Sequence, residues 1–331
     1  MTTAAPGAAP VLVVVDHHDD APRSSAYELL TVARTLGPVE AVWFGAAPEA
    51  AVDRLGAWGV ARVHAVPAAA DLLPPERGEA LAAVVEAVAG PGASTVLLAS
   101  TFENKETAAR LALATGAGLM VDAAALEAGP DGRVVAVQQA FAATWTLRAC
   151  TTTPRAVVAL KPNAVAAVAP DGAPTQPEVL THDVVPAAGP VARLVERTPR
   201  PASDRPDLGE AQVVVVGGRG TEGDFSAVEE LADVLGGAVG ATRVATDEGW
   251  IGHEAQIGQT GVTITPRLYI GAGVSGAVHH RGGMQASGTI VAVNSDPESP
   301  IFEIADFGVV GDLFTVLPQA AAEIRRIRGE A

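Results

Sequence analysis

Short apolar runs alternate with longer mixed stretches along the first half of the chain. Val11–Val15 is a continuous aliphatic run, the pattern of a strand covered on both faces. Ser24–Leu36 places Leu29, Leu30, Val32, Ala33 and Leu36 at helical spacing and stops at Gly37-Pro38. The alternation continues with strands at Val39–Phe44, Arg62–Val66 and Thr95–Ala99, and helices at Ala47–Leu55, Arg77–Ala89 and Glu103–Thr115. Strands alternating with helices predict a mostly parallel sheet with right-handed crossovers. After Val121 the rhythm changes to strand-like runs, Val134–Gln138, Thr144–Ala149 and Arg155–Leu160, which predicts a predominantly antiparallel extension. A second α/β unit begins at Gln212–Val216. It continues through a helix at Asp224–Leu235 and strands at Leu268–Ile270 and Thr289–Asn294, and closes on a helix near Leu313–Arg328. Between the halves, Pro186 to Pro206 also carries Pro190, Pro199 and Pro201. Proline stiffens the chain and removes backbone donors, so this stretch reads as a linker or as an ordered surface connector. The expected division is a domain over 1–190, a linker over 191–210 and a domain over 211–331.

Composition narrows the classes. The 331 residues are 48% hydrophobic and 18% charged, enough apolar surface for two packed cores. The formal charge of −16 argues against a nucleic-acid partner, because phosphate backbones need a basic face. A single cysteine, Cys150, excludes an intramolecular disulfide and a multi-thiolate metal site. It ends an apolar strand run and reads as an inert core thiol. Met1 to Pro10 lacks the basic segment and apolar run of a secretory signal, and no stretch approaches 18 apolar residues. A cytoplasmic protein with no direct membrane insertion is expected.

Two glycine-rich loops in the second half carry the candidate chemistry. Gly217-Gly218-Arg219-Gly220 follows an apolar strand and precedes a helix. Glycines let the backbone approach an anion, and Arg219 offers a planar cationic fork suited to phosphate. An ordinary strand-to-helix turn fits these residues equally well. Gly271-Ala272-Gly273-Val274-Ser275-Gly276 spells G-x-G-x-x-G, with Asp296 downstream. Its preceding strand is short, however, and Gly282-Gly283 is poor material for a long crossover helix, so it reads as a phosphate- or ring-contacting loop without implying NAD. His279 and His280 diverge too far on a helix to share one metal ion easily. His17-His18-Asp19-Asp20 has the composition of a metal cluster, but its place after the first strand favours a solvated turn. The P-loop, nucleophile-elbow and zincin motifs are absent from the sequence, and no catalytic or metal-ligating residues are expected. From the residues alone, the chain is a two-domain α/β protein whose second domain binds a phosphate-bearing ligand.

An ordered set of motifs goes further. Gln256-Ile257-Gly258-Gln259-Thr260-Gly261, Leu268-Tyr269-Ile270-Gly271 through His280, Val291–Pro297, Pro300-Ile301-Phe302 and Ala305–Phe314 together resemble the C-terminal FAD domain of the electron transfer flavoprotein α subunit. Thr101–Leu113 and Thr144–Pro162 resemble the same family's N-terminal domain. The resemblance implies two tandem α/β domains: a mostly parallel, nucleotide-binding-like sheet with an antiparallel extension, then a Rossmann-like FAD-binding domain. It implies FAD as cofactor, with its site carried onto Arg219, Thr242, Arg243, Ile257, Gly258, Gln259 and Thr260. The loop Ser275, Gly276, Ala277, Val278, His279 and His280 follows, and then Asn294, Asp312 and Leu313. In the family, Arg243 would lie against the isoalloxazine ring, Thr260 near N5 and O4, and His280 as a donor near O2. Thr242 stands where many members have serine, and His279 where glutamine is usual.

The function implied is that of the FAD-bearing subunit of a heterodimer with an electron transfer flavoprotein β subunit. The pair would accept electrons from acyl-CoA or related dehydrogenases, as in fatty acid β-oxidation. It would pass them through an anionic flavin semiquinone to a membrane quinone oxidoreductase. Such a protein is an electron carrier without its own small-molecule substrate. The competing readings are a bifurcating relative oxidising NADH, an NAD-dependent oxidoreductase using Gly271–Gly276, and a non-redox nucleotide-binding module.

Overall fold

The computed structural model describes residues 10–18, 20–90, 94–141, 143–184, 192, 194–196, 198 and 204–329, so most of the stretch from Pro186 to Pro206, and part of the expected linker over 191–210, lie outside the described residues. Two compact units emerge: Met1–Gln139 with Thr146–Pro199, and Ala140–Trp145 with Arg200–Ala331.

The first unit contains β1 (Val11–Val14), β2 (His17–His18), β3 (Ala21–Pro22), α1 (Ser24–Leu36), β4 (Val39–Phe44), α2 (Glu49–Ala57) and β5 (Arg62–Val66). It continues with α3 (Pro74–Ala89), β6 (Ser94–Ala99), α4 (Phe102–Thr115), β7 (Gly118–Ala128), β8 (Val134–Ala140), β9 (Trp145–Cys150), β10 (Arg155–Leu160) and β11 (Glu178–Thr181). Among the described residues the main sheet runs in the order β11-β5-β4-β1-β6-β10-β7-β8-β9. Period-2 alternation explains why β1 is apolar at every position. Val11, Val13 and Val15 join Leu29 and Leu30 of α1 and Leu55 of α2 on one face. Leu12 and Val14 join Leu81 and Val84 of α3 and Leu111 of α4 on the other.

The structure corrects the expected extension. Arg155–Leu160 does not belong to an antiparallel hairpin: β10 pairs parallel with both β6 and β7. Its six residues are all buried, Val157 toward one core and Val158 toward the other, so two covered faces outweigh its place beside β9 in sequence. β7 and β8 do pair antiparallel, with β9 beside β8, so the antiparallel extension is present without β10. The long β7 changes partner near Asp122, a non-glycine residue at φ +56°, with register shifts on both flanks. Cys150 is exposed rather than a core thiol, because β9 lies at the sheet edge with five of its six residues exposed. His17 is likewise not in a solvated turn. It pairs in the small β2–β3 ribbon, stacks on Trp43 at 3.9 Å between centroids, and its Nε2–H donates to the Phe44 carbonyl at 2.9 Å. Burial lowers its pKa. Among the described residues no group of three or more His, Cys, Asp and Glu side chains could hold a metal ion. No described helix is long and apolar enough to cross a membrane.

The second unit contains β12 (Val213–Gly217), α5 (Ser226–Leu235), β13 (Ala238–Ala241), α6 (Arg243–Asp247), β14 (Leu268–Ala272), α7 (Val278–Met284), β15 (Thr289–Asn294), β16 (Phe307–Val310) and α8 (Leu313–Arg328). Its sheet is parallel throughout, in the order β13-β12-β14-β15-β16. Val215 packs toward α5 and α8, while Val214 and Val216 pack toward Ile257, Tyr269 and Met284. The chain steps outward from β12 to β13 and then returns to β14 on the other side of β12. That reversal opens a crevice at the carboxyl ends of β12 and β14, the position where parallel α/β sheets bind ligands. From Arg205 onward the chain is tied to this unit, Arg205 Nε donating to Asp233 Oδ1 of α5 at 2.6 Å.

Candidate functional site

Both glycine loops leave the sheet at this switch point and bind each other. The Gly218 amide donates to the Ala272 carbonyl and the Gly220 amide to the Gly273 carbonyl, each at 3.0 Å. A Cβ on Gly220 would sit 2.7 Å from Gly273 Cα, and one on Gly218 2.8 Å from Val274 Cα. The missing side chains are thus required by the approach of one loop to the other. After β12 the chain makes a single 3-10 turn, Arg219–Thr221, and α5 begins only at Ser226. Arg219 is exposed at the start of that turn.

Thr242 and Arg243 arrive at the end of β13. The Thr242 amide donates to the Gly217 carbonyl at 3.0 Å, but its side chain does not cap α6. Its Oγ1 is buried and has no hydrogen-bond partner among the described residues. Arg243 opens α6 with its side chain largely exposed, and its Nε donates to Asp247 Oδ2 at 3.1 Å.

The segment after Ala255 lies beside them. Ile257 N donates to the Ala241 carbonyl at 2.9 Å and Gln259 N to the His279 carbonyl at 3.0 Å. These bonds tie the segment to β13 on one side and α7 on the other. Gly282-Gly283, unpromising for a helix, have a packing reason: a Cβ on Gly283 would meet Gly258 Cα at 2.5 Å. Gln256 is buried, its Oε1 accepting from Thr246 Oγ1 at 2.8 Å and its Nε2 donating to Thr260 Oγ1 at 3.0 Å.

His280 is buried on α7 between two fixed partners. Its Nδ1 lies 3.0 Å from the Ile257 carbonyl, which only accepts, so Nδ1 carries the ring proton. Its Nε2 lies 2.8 Å from the Tyr269 hydroxyl and accepts from it. Tyr269 is fully buried, and burial pushes its phenol further from ionisation. Burial also lowers the His280 pKa to about 4, the carbonyl bond offsetting this only in part. In this arrangement both ring nitrogens are engaged within the protein, Nδ1 with the Ile257 carbonyl and Nε2 with the Tyr269 hydroxyl.

These elements enclose a cavity of about 240 Å³. Of the expected residues, Arg219, Thr242, Arg243, Ile257, Gly258, Thr260, Ser275, Gly276, Ala277, His279 and His280 line it, together with Val244 and Val274, which sequence reasoning did not single out. Gln259, Val278, Asn294, Asp312 and Leu313 do not. Asn294 braces the loop after β15, donating to the Val274 carbonyl at 2.9 Å and to Ser299 Oγ at 3.1 Å. Asp312 caps α8 by accepting from the Phe314 amide, and Leu313 is buried in the core. Val244 and Val274 carry no chemical signature and become visible only through the fold. Among the described residues two arginines line the cavity and no carboxylate does, in a chain with sixteen more acidic than basic residues.

A parallel sheet with paired glycine loops at its switch point, opening on a cationic cavity, belongs to the class of dinucleotide-binding α/β proteins. The family model described as "Electron transfer flavoprotein domain" matches residues 11–187, and that described as "Electron transfer flavoprotein FAD-binding domain" matches 207–285. The chain is 44% identical over 328 residues to the electron transfer flavoprotein subunit alpha of Mycobacterium leprae, covering 97% of this chain and 100% of the relative. With the subunit alpha of Mycobacterium tuberculosis (strain ATCC 25618 / H37Rv) it shares 45% identity over 329 residues, again 97% and 100%. A mitochondrial subunit alpha from Dictyostelium discoideum is 52% identical over 126 residues, 38% of this chain and 36% of that one. The chain belongs to the electron transfer flavoprotein α-subunit family. Its cofactor is FAD, and it is an electron carrier rather than an enzyme of the ordinary kind.

The residues present suit that cofactor. The unpartnered Thr242 Oγ1, the two arginines and the cavity-facing Thr260 are groups that could offer hydrogen bonds and positive charge to an anionic dinucleotide.

Proposed function

We propose that the chain is the FAD-bearing subunit of a heterodimeric electron carrier, paired with an electron transfer flavoprotein β subunit. It accepts electrons from flavoprotein dehydrogenases of the acyl-CoA type and passes them to a membrane quinone oxidoreductase. The observation that carries this reading is the cavity lined by Arg219 and Arg243 without a carboxylate. Bound FAD supplies the one- and two-electron chemistry. The protein holds the cofactor and sets its potential. Arg243 brings a fixed charge to where reduction adds negative charge, and a partly enclosed, low-dielectric site strengthens that interaction. Thr242 and Thr260 provide hydroxyls, and His280, held by the Tyr269 hydroxyl and the Ile257 carbonyl, forms part of the wall. Asn294 acts from behind, its side-chain amide donating to the Val274 carbonyl of the loop that lines the cavity.

The test is a visible spectrum of the chain purified with its β subunit during stepwise anaerobic reduction, followed by electron delivery from an acyl-CoA dehydrogenase. Flavin absorbance that the dehydrogenase bleaches supports the reading. A colourless complex that takes up no added FAD overturns it, and bleaching by NADH alone would place the chain with bifurcating relatives. In the same assay Arg243→Ala should lower the first reduction potential, by roughly 59 mV for each tenfold loss of preference for the reduced form, with FAD retention little changed.

A further inference from the structure

We propose that Arg281 is a positioning residue of the FAD site: it pins the Gly276 carbonyl behind the cavity wall and so turns the Ala277 amide proton toward the cofactor. The inference rests on the reading above that this cavity receives FAD. Arg281 lies on α7 outside the cavity lining, with 18% of its side chain exposed. Its Nε–H donates to the Gly276 carbonyl at 2.7 Å, and its Nη2 donates to the Pro300 carbonyl at 2.5 Å and to Glu303 Oε2 at 2.9 Å. A guanidinium can only donate and these oxygens can only accept, so each bond has one possible direction. Glu303 is largely exposed and its ion pair adds little, which leaves the two main-chain carbonyls to fix the guanidinium. The 3-10 turn Pro300–Glu303 backs the same loop, Ile301 N donating to the Ser275 carbonyl at 3.1 Å. A Cβ on Gly276 would meet Ile301 N at 2.5 Å, so the loop rests directly on that turn. Across a planar trans peptide the carbonyl of one residue and the N–H of the next point in opposite directions. With its carbonyl turned to Arg281, the Gly276–Ala277 peptide sends the Ala277 N–H the other way, and both residues line the cavity. That N–H has no acceptor among the described residues. A main-chain donor left over at the cavity suits the oxygens of an anionic dinucleotide.

The test is a double-mutant cycle in the complex with the β subunit, combining Arg281→Leu with Ala277→Pro. Ala277 has φ −56°, within the range proline imposes, so Ala277→Pro deletes this one N–H and keeps the backbone path. It should weaken FAD binding about tenfold while the apoprotein melts at the same temperature or higher. Arg281→Leu should weaken FAD binding by a similar factor in the parent, and by less than about twofold in the Ala277→Pro background. Arg281→Lys keeps the charge and one donor for the Gly276 carbonyl, and should recover most of the affinity. A loss of equal size in both backgrounds would mean that Arg281 acts through its charge or through the fold at large, and would overturn the proposal. A lysine no better than leucine would overturn it as well. Unchanged affinity in Ala277→Pro would show that the amide does not meet the cofactor, and the proposal would fall with the FAD reading intact. Failure of the unmutated complex to take up FAD would sink that reading instead. Amide hydrogen exchange keeps the test open if a variant does not fold: FAD should slow exchange at Ala277 in the parent complex, and no slowing would overturn the proposal.

Discussion

Thr242 and His280 show how single side chains on the cavity wall are constrained in opposite ways. The Thr242 hydroxyl is buried without a partner among the described residues, an arrangement that costs about 1–3 kcal/mol until a ligand supplies one. Thr242→Val should therefore leave the apoprotein as stable or more stable by about 1 kcal/mol, while FAD binding weakens about tenfold. Melting curves with and without FAD separate the two effects. His280 is fully satisfied and neutral, with its folded pKa near 4 against an ordinary 6.5. Between those values the unfolded chain binds the extra proton, so stability contributed by this site is complete above about pH 6.5 and is lost as the pH falls toward 4. The full change is on the order of 3 kcal/mol. Gln can accept from Tyr269 and donate to the Ile257 carbonyl as the histidine does. A His280→Gln variant should keep the neutral-pH melting temperature within a few degrees and lose less of it on acidification. Equal acid sensitivity in the two proteins would refute this.

At the scale of elements, the site depends on backbones packed against backbones. Gly220 and Gly273 bring two loops into contact, and Gly283 lets α7 rest on the Gly258 loop. Gly220→Ala would force these segments apart, costing about 1–3 kcal/mol or more. Circular dichroism should show a destabilised second unit, and FAD binding should weaken even though no ligand contact has been deleted. Such glycines were legible as motifs, but their reason was not, since a close approach between distant loops leaves no local periodicity. The strands show the same division. The largely apolar runs at β1, β4 and β10 were evident, as were α1 and α8 with their Gly-Pro and arginine-rich ends. β7 and β13 escaped notice because alanine and glycine fill them, and β11 and β16 because most or all of their residues are exposed. The parallel placement of β10 is a tertiary outcome, set by which faces are covered. On the cavity wall, Arg219, Thr242, Arg243 and Thr260 could be found through their motif. Gln256 stood inside that motif without a role, because its partners Thr246 and Thr260 meet only once β13, α6 and the following loop are folded.

For the whole molecule, two compact units with separate cores make unfolding in two steps the expected behaviour. FAD binds one of them, so ligand should raise only one calorimetric transition, by about 2.7 kcal/mol at a hundred times the dissociation constant. Gly220→Ala should lower that transition alone, and a joint shift of both would count against separate units. The net charge of −16 bears on encounters at this scale. Association with a basic partner surface should slow as ionic strength rises, whereas FAD retention in a partly enclosed cavity should respond much less. The edge strand β9 has one more consequence. Its Cys150 is exposed and is the only thiol in the chain, so a maleimide dye will attach at a single known position on the first unit. The flavin in the second unit absorbs blue light and can serve as a built-in energy acceptor. The protein thus carries both ends of an optical ruler, able to follow its two units through each round of electron transfer without a single engineered residue.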